Sequence, residues 1–118
     1  FPTLPAPARM PVLPPRPRGS WNEYIRRIAE GDADAMAALH AESSRLVRLL
    51  TLRILRDAAD AEEVAADTFL QVWRTARRFD HQRGSAQTWL AMIARTRAID
   101  RLRSRRQAAF EGLDYDHA

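Results

Sequence analysis

The densest group of reactive side chains in the sequence is a run of arginines late in the chain. The run consists of Arg95, Arg97, Arg101, Arg103, Arg105 and Arg106. Asp100 is the one acidic residue among them. Guanidinium groups make planar, bidentate contacts with phosphates, and Trp89, at the head of the same segment, could stack on an unpaired base. This combination predicts contact with single-stranded nucleic acid. The alternative is a solvated basic face with Trp89 packed in the core.

An acidic stretch precedes the arginines. Helical spacing places a row of polar side chains on one outer face, namely Glu62, Glu63, Asp67, Gln71, Arg74 and Arg78. The acidic end is N-terminal and the basic end C-terminal, which suits the helix dipole. This face predicts docking onto a partner protein. A divalent-cation site is disfavoured, because carboxylate sites in helical bundles use inward-pointing Glu-x-x-His motifs, and none is present here.

The residue types argue against catalysis. The three histidines, His40, His81 and His117, have no plausible nucleophile near them in the sequence. Ser85 lacks the glycine two residues later that a nucleophile elbow requires, and the four scattered glycines form no phosphate-binding loop. The absence of cysteine excludes disulfides, thiolate zinc sites and cysteine nucleophiles. We therefore expect a protein that is not an enzyme and has no cofactor or bound metal.

Composition narrows the class of protein further. The chain has 118 residues, the size of one small domain, and its 19 basic residues, all arginine, exceed the 15 acidic ones for a net charge of +4. That charge suits a polyanionic partner only weakly, and a GC-rich coding sequence is the better explanation for the missing lysine. No apolar run approaches the roughly 18–20 residues that span a bilayer. We expect a soluble protein of the cytoplasm.

A shift in composition divides the chain into three parts. All seven prolines fall within residues 1–19, which should therefore be extended, near polyproline II. This segment is either a disordered leader, which we favour, or a recognition segment. Residues 20–107 lack proline and contain few glycines, which predicts one helical domain. Residues 108–118 predict a linker or frayed end.

Apolar periodicity predicts two helices at the start of the domain. The first runs from about Asn22 to Glu30 and stops at Gly31, and the second starts near Asp32. The first has an apolar face of Trp21, Tyr24, Ile25 and Ile28, and the second a core-facing stripe of Met36, Leu39, His40, Ser43, Leu46, Val47, Leu50 and Ile54. On such a stripe His40 is more often a core residue than a metal ligand.

Two more helices are predicted to complete the domain. Asp60 should cap the third and form a capping box with Glu63. The predicted inner face of this helix is Val64, Ala65, Phe69, Val72, Trp73, Ala76 and Phe79. A polar loop at 80–84 follows, and Ser85 should cap a fourth helix that runs to about Arg106. The predicted fold is all-α: a small bundle of about four helices with an extended Pro-rich N-terminal segment.

Several short motifs follow one another along the chain in an order that is typical of a known family. The acidic start DAEEV is followed by TFLQVW, then by RFDHQRGS, and finally by WLAMIARTRAIDRLR. This pattern resembles region 2 of bacterial sigma factors, most closely the extracytoplasmic-function (ECF) group, and the likeness extends from about Trp21 to Arg106. It implies a transcription-initiation domain that docks on core RNA polymerase and recognises and helps open the −10 promoter element.

The resemblance also implies a role for each surface. The acidic helix would dock on the β′ clamp, through Glu62, Glu63, Asp67, Gln71 and Arg74. The loop and the next helix would hold the non-template strand of promoter DNA, through Arg83, Ser85, Gln87, Trp89, Arg95, Thr96, Arg97 and Arg101. An anti-sigma factor is a further implied partner, and no membrane insertion is expected.

The sequence departs from the family pattern in places. Many relatives have Gln where Ala66 stands and Asn where Thr96 stands, which puts one polymerase contact and one base preference in doubt. Ile93 and Ala94 occupy the place of the adjacent tryptophans of primary sigma factors, so strand opening should depend on base capture instead of an aromatic wedge. The family continues into a second domain, region 4, toward which residues 108–118 would lead.

Two alternatives remain open at this point. The helices could be an interaction module held by an anti-sigma factor, which is compatible with the sigma interpretation. They could also form a small helical DNA-binding regulator with a helix-turn-helix. That motif needs a turn of about three or four residues, and the basic loop at 80–84 is longer.

Overall fold

The computed structural model describes residues 20–116, and the Pro-rich segment with its predicted extended conformation lies outside them. The described part is all-helical, as predicted. It comprises α1 (Ser20–Ala29), α2 (Ala33–Leu55), α3 (Ala58–Thr75), a short 3-10 helix (Ala76–Arg78) and α4 (Ala86–Asp116). α2 packs against both α3 and α4, which also contact each other, and α1 lies across α2. The predicted number and order of helices are confirmed.

The turns between helices are set by local hydrogen bonds. Asp32 caps α2, because its Oδ1 accepts from the backbone N–H groups of Asp34 at 3.0 Å and Ala35 at 3.1 Å. The hydrogen bond from the Ala35 N–H, then the contact with Arg27, and last the bond from the Asp34 N–H hold the pKa of the Asp32 carboxyl below its ordinary value. α2 ends at Arg56, which adopts the left-handed conformation (φ 54) and donates its N–H to Leu52 O at 2.7 Å.

The predicted cap of α3 was wrong. Asp57 is the capping residue, and its carboxylate accepts from the backbone N–H of Asp60 at 2.9 Å. Because α2 ends in a tight left-handed turn at Arg56, α3 starts earlier than the apolar pattern indicated. Asp60 therefore lies inside the first turn, and neither Asp60 nor Glu63 turns back to form a capping box. Both carboxylates instead bind arginines of α4.

Apolar side chains from every helix meet in one core. Ile25, Leu39, Val47, Val72 and Leu90 are completely or almost completely buried there. A second, smaller cluster of Leu55, Val64 and Ala98 joins the far ends of α2, α3 and α4, with Ile54 and Leu102 packed against it.

The buried hydroxyl groups in this interior are all satisfied. Ser43 donates to Leu39 O at 2.6 Å, Thr51 to Ala61 O at 3.0 Å and Thr68 to Val64 O at 2.8 Å. The Thr51 bond links α2 to α3, whereas the other two lie within one helix. The hydroxyls therefore carry no desolvation penalty for unmade hydrogen bonds.

Three residues assigned to core-facing stripes lie elsewhere. Trp73 is 42% exposed and Leu46 is 40% exposed, so the inner faces of α3 and α2 are narrower than their apolar patterns indicated. His40 is also exposed, although its ring packs edge-on against Phe69 with centroids 4.6 Å apart. The remaining predicted core positions are buried or half-buried, and they include Phe79, which lies in the following loop and packs against the core.

α4 continues well past its predicted end at Arg106, to Asp116. Beyond Leu102 its described side chains are all exposed, so local helix propensity and polar contacts such as Gln107–Glu111 (3.3 Å) support this part. Among the described helices, none is both long and apolar enough to cross a membrane.

The N-cap of α3 can be tested by substitution. We expect Asp57→Ala to lower the free energy of unfolding by about 1 kcal/mol, because the Asp60 N–H loses its acceptor. Urea denaturation followed by circular dichroism measures this. Asp57→Asn keeps an acceptor at the same place and is the matched control. Equal losses for the two variants would contradict the assignment.

Candidate protein- and nucleic-acid-binding surfaces

The arginines of α4 divide into two sets by helical position. Arg97, Arg101 and Arg105 recur every fourth residue on the side that faces α3, and all three bind groups outside their own helix. Arg95, Arg103 and Arg106 are exposed, and no contact ties them to another described residue. The division follows from the buried side of α4, because Leu90, Ala94 and Ala98 fix its rotation against the core.

Arg101 lies at the centre of a charge cluster between α3 and α4. Its guanidinium binds both oxygens of Glu63, at 2.8 and 3.3 Å, and Asp60 Oδ1 at 3.0 Å. Arg105 binds the other oxygen of Asp60 at 2.9 Å and the backbone carbonyl of Leu55 at 3.2 Å. The hydrogen bonds that Arg101 donates raise the pKa of this guanidinium above its ordinary value. The bond to Glu63 contributes most, and the bond to Asp60 is next.

A groove of about 480 Å³ runs between α3 and α4 beside this cluster. Its walls carry polar groups of both helices, namely Asp67, Gln71, Thr96, Arg97, Asp100 and Arg101, with Val64 at the floor. Arg97 donates from Nε to the Gln71 side-chain oxygen and so closes part of the groove. Asp67 is half-buried and Asp100 exposed, and neither forms an ion pair with a described residue.

The acidic row on α3 is less uniform than the sequence indicated. Glu63, Asp67 and Gln71 follow the edge toward α4, whereas Glu62 lies on the opposite edge and binds Arg48 of α2 at 3.3 Å. Arg74 is exposed at the far end of the row, beside Trp73. The five residues implied by the resemblance therefore share one helix face but point to both of its edges.

Two apolar side chains on this face were missed as surface residues. Leu70 is 45% exposed and Trp73 42% exposed, and both lie among the polar residues of the row. The signal was available in the sequence: Leu70 follows Glu63 by seven residues, which is two helical turns, so the two must lie on the same side. α3 thus presents apolar groups surrounded by charge, the usual composition of a protein interface.

The loop before α4 borders a second cavity, of about 310 Å³. Phe79 and Trp89 form one wall, with ring centroids 5.4 Å apart and planes tilted by 47°. Arg83, Ser85 and Met92 also line it, and Met92 is 55% exposed. Trp89, which the sequence left undecided, is half-buried and contributes both to the core and to this cavity.

Hydrogen bonds hold the start of α4 in place beneath the cavity. Ser85 is the predicted cap, and its Oγ accepts from the Thr88 N–H at 3.1 Å. Asn22 of α1 accepts from the Ala86 N–H at 2.8 Å, so α1 also helps to position this end. Arg83 is highly exposed and lies 3.6 Å from Asp80, and Gln87 is exposed outside the cavity. The loop therefore presents its polar groups around an aromatic wall.

The described residues contain no group of three or more histidine, aspartate or glutamate side chains with the geometry to hold a metal ion. Asp60 and Glu63 face arginines, so their negative charge is already compensated.

Comparison with known families gives these surfaces a context. Residues 39–108 match the family described as Sigma-70 region 2, a stretch that includes most of α2, all of α3, the loop and most of α4. The chain belongs to the Sigma-70 region 2 family. Both surfaces described above fall almost entirely within the matched residues.

Relatives of known class agree with this assignment. The chain is 38% identical over 104 residues to the ECF RNA polymerase sigma factor SigK of Mycolicibacterium vanbaalenii, covering 88% of this chain and 51% of the relative. It is 36% identical over 110 residues to SigK of Mycobacterium ulcerans, covering 89% and 59%. For SigK of Mycobacterium tuberculosis the figures are 39% over 90 residues, 76% and 48%. The chain thus spans about half the length of the curated relatives it matches.

Within this region 2 domain, the charge cluster should stabilise the packing of α4 on α3. We expect Asp60→Asn to lower the melting temperature by about 2–5 °C, because Arg101 and Arg105 both lose an ionic partner. The loss should shrink at high salt. Glu62→Gln is the control, since it removes the same charge from the more exposed Arg48 pair. Equal, salt-independent losses would show that the cluster has no special role.

Proposed function

We propose that this chain is the part of an ECF sigma factor that docks on core RNA polymerase and recognises and helps open the −10 promoter element. The proposal is supported by the position of two different surfaces next to each other on the same domain. In a region 2 domain, α3 offers an apolar and acidic face, while the adjoining loop and α4 offer an aromatic cavity and unpaired arginines. The role is one of binding rather than catalysis, and it would be exercised in the cytoplasm, where polymerase works.

The docking surface proposed for the polymerase clamp is the exposed face of α3. Leu70 and Trp73 would supply the buried anchors of the contact, since large apolar groups dominate interface energetics. Glu63, Asp67 and Gln71 would pair with basic groups of the clamp and fix the register. Ala66, where many relatives have Gln, is exposed on the same face, so this chain would lack one polar contact.

The DNA surface proposed for the −10 element is the loop cavity with the outward side of α4, together with Arg97 and Arg101, which contact α3 in the free domain. One unstacked base of the non-template strand would enter beside Trp89 and Phe79, and Arg83 and Arg95 would reach phosphates. Arg103 and Arg106, which the resemblance did not supply, extend the same outward basic side. Thr96 is exposed beside the groove and is the proposed site of altered base preference.

Strand opening would have to come from the capture of unpaired bases. Ile93 is 4% exposed and Ala94 is completely buried, so neither side chain is available to wedge between base pairs. Accessible aromatic groups remain at the cavity wall, where Trp89 and Phe79 are both half-buried. This supports opening by trapping an unpaired base rather than by intercalation.

A second protein partner is favoured by a feature of α2. Leu46, Leu49 and Leu52 are 40%, 51% and 42% exposed on its outer side, with Arg45 and Arg53 between them. On the same helix, Arg48 binds Glu62 of the α3 row at 3.3 Å. An anti-sigma factor that holds the domain inactive could cover it and mask the polymerase face at the same time.

The polymerase contact is tested by titrating the chain against core RNA polymerase. We expect Asp67→Arg to weaken binding by at least about tenfold, because it reverses a charge at the interface. Leu70→Ala should weaken binding by about five- to thirtyfold, through loss of an apolar anchor.

Matched controls separate docking from general effects. Glu111→Arg makes the same charge change on the exposed end of α4, and Leu49→Ala removes an equally exposed leucine of α2. Both should bind as the parent does. If Asp67→Arg and Leu70→Ala bind no worse than these controls, α3 is not the docking face.

The DNA contact is tested on the polymerase-bound chain with a promoter strand. We expect Arg97→Ala combined with Arg101→Ala to weaken capture of the −10 strand. The slope of log K against log salt concentration should become shallower by about 0.7 for each phosphate that is no longer bound. Arg45→Ala combined with Arg53→Ala removes two exposed arginines of α2 and is the control. An unchanged salt slope for the α4 pair would remove Arg97 and Arg101 from the DNA surface.

A further inference from the structure

The prolines that precede α1 follow a regular period. Most of them recur at every third position, with Ala8 at the one remaining place in the series, namely Pro2, Pro5, Pro11, Pro14 and Pro17. A polyproline II helix has three residues per turn, so in that conformation these positions would form one continuous edge. The period therefore favours a recognition segment over a leader without a binding role.

The other two edges of such a helix would differ in polarity. One would continue the apolar character of the proline edge, through Phe1, Leu4, Pro7, Met10 and Leu13. The other would carry two of the three arginines of residues 1–19, Arg9 and Arg18, and this part of the sequence contains no acidic residue. Two adjacent apolar edges gain free energy when another apolar surface covers them.

The loop cavity has the composition that proline edges bind. Phe79 and Trp89 form its wall, with centroids 5.4 Å apart and planes tilted by 47°. Met92 adds an apolar side chain that is 55% exposed. Grooves lined by aromatic rings bind polyproline II segments, because that conformation loses little entropy on binding. The cavity of about 310 Å³ has room for a short extended segment.

The start of α1 lies beside this cavity. α1 begins at Ser20, and Asn22 in its first turn accepts from the Ala86 N–H at 2.8 Å, next to Ser85 in the cavity lining. Phe79 lines both this cavity and a neighbouring one that Asn22 borders. At about 3.1 Å per residue, Pro17 and Pro14 are roughly 9 and 19 Å of chain away from Ser20. Both prolines can therefore reach the aromatic wall.

Charge favours an occupant from the same chain over one from a second molecule. Arg78 and Arg83 line the cavity together with one carboxylate, that of Asp80, so the lining does not attract the arginines of the segment. Association between separate molecules at this place would be weak. Within one chain a short linker gives an effective concentration on the order of 1 mM, which allows a weak apolar contact to form.

We propose that the proline edge of residues 11–17 docks on the cavity formed by Phe79, Trp89 and Met92 of the same chain. The docked segment occupies the place proposed above for an unstacked base, so the segment and a DNA strand exclude each other. This exclusion rests on the proposed function, whereas the docking itself does not. The free chain thus covers its own base-binding cavity until the segment leaves.

Docking is measured without DNA or polymerase, by nuclear magnetic resonance of the isotope-labelled full chain. We expect nuclear Overhauser contacts between the Trp89 ring and the ring protons of Pro14 or Pro17. Pro14→Ser combined with Pro17→Ser should abolish these contacts and shift the Trp89 indole signal. Pro7→Ser combined with Pro15→Ser makes the same chemical change away from the proline edge and is the matched control. Met92→Ala should weaken the contacts from the cavity side.

The exclusion is measured by binding of the full chain to a fluorescein-labelled single-stranded DNA of about 20 nucleotides. A cavity that is covered in about two-thirds to nine-tenths of the molecules lowers the apparent affinity about three- to tenfold. We expect Pro14→Ser combined with Pro17→Ser to recover this factor. All arginines are retained, so the general attraction to phosphates stays the same. Pro7→Ser combined with Pro15→Ser should bind as the parent does.

Distinct results would overturn each part. Absence of contacts between Trp89 and the segment, or equal behaviour of the two double variants, would overturn the docking. Contacts that weaken on dilution would assign the cavity to the segment of a second copy, which also contradicts it. Docking without a gain in DNA affinity for the Pro14 and Pro17 variant would overturn the exclusion. Circular dichroism checks that the helices are intact, and the Asp67→Arg titration decides the proposed function separately.

Discussion

The close packing of α4 against α2 and α3 through small side chains is the constraint on which the rest of the domain depends. Ala86, Ala94 and Ala98 are completely buried, and alanine lets helix backbones approach closely. This approach fixes the rotation of α4. It also brings the first two turns of α3 within reach of arginine side chains on α4, so that Asp60 and Glu63 can bind Arg101.

Apolar packing gives way to ion pairs along α4. Leu90, Ile93 and Ala94 join the main core, and Ala98 joins the smaller cluster with Leu55 and Val64. Past Leu102 no described side chain of α4 is buried, and the arginine that still reaches another helix, Arg105, does so through Asp60 and the Leu55 carbonyl. The end of the helix is therefore held by solvent-accessible contacts, which are sensitive to salt and to competing ions.

Helix number and order, the Ser85 cap and the main buried positions could be predicted from the sequence, because they depend on local hydrogen bonding and on a strong periodicity of 3.6 residues. The cap of α3 could not, since Asp57 and Asp60 are both good capping residues, and the left-handed turn at Arg56 decides between them. The exposure of Trp73 was missed for another reason. Hydrophobicity alone does not tell a core residue from an interface residue, and only the rotation of the helix does.

The sequence also could not predict which arginines of α4 contact α3 and which do not. This difference matters for how the charge of the domain is interpreted. Six arginines near one another suggest a single basic surface, but half of them face carboxylates or an amide of α3. Their charge is compensated in the free domain, whereas Arg95, Arg103 and Arg106 remain available to an anion. Net charge is therefore a poor measure of how strongly this domain attracts an anion. The relevant quantity is the number of guanidinium groups free of internal partners.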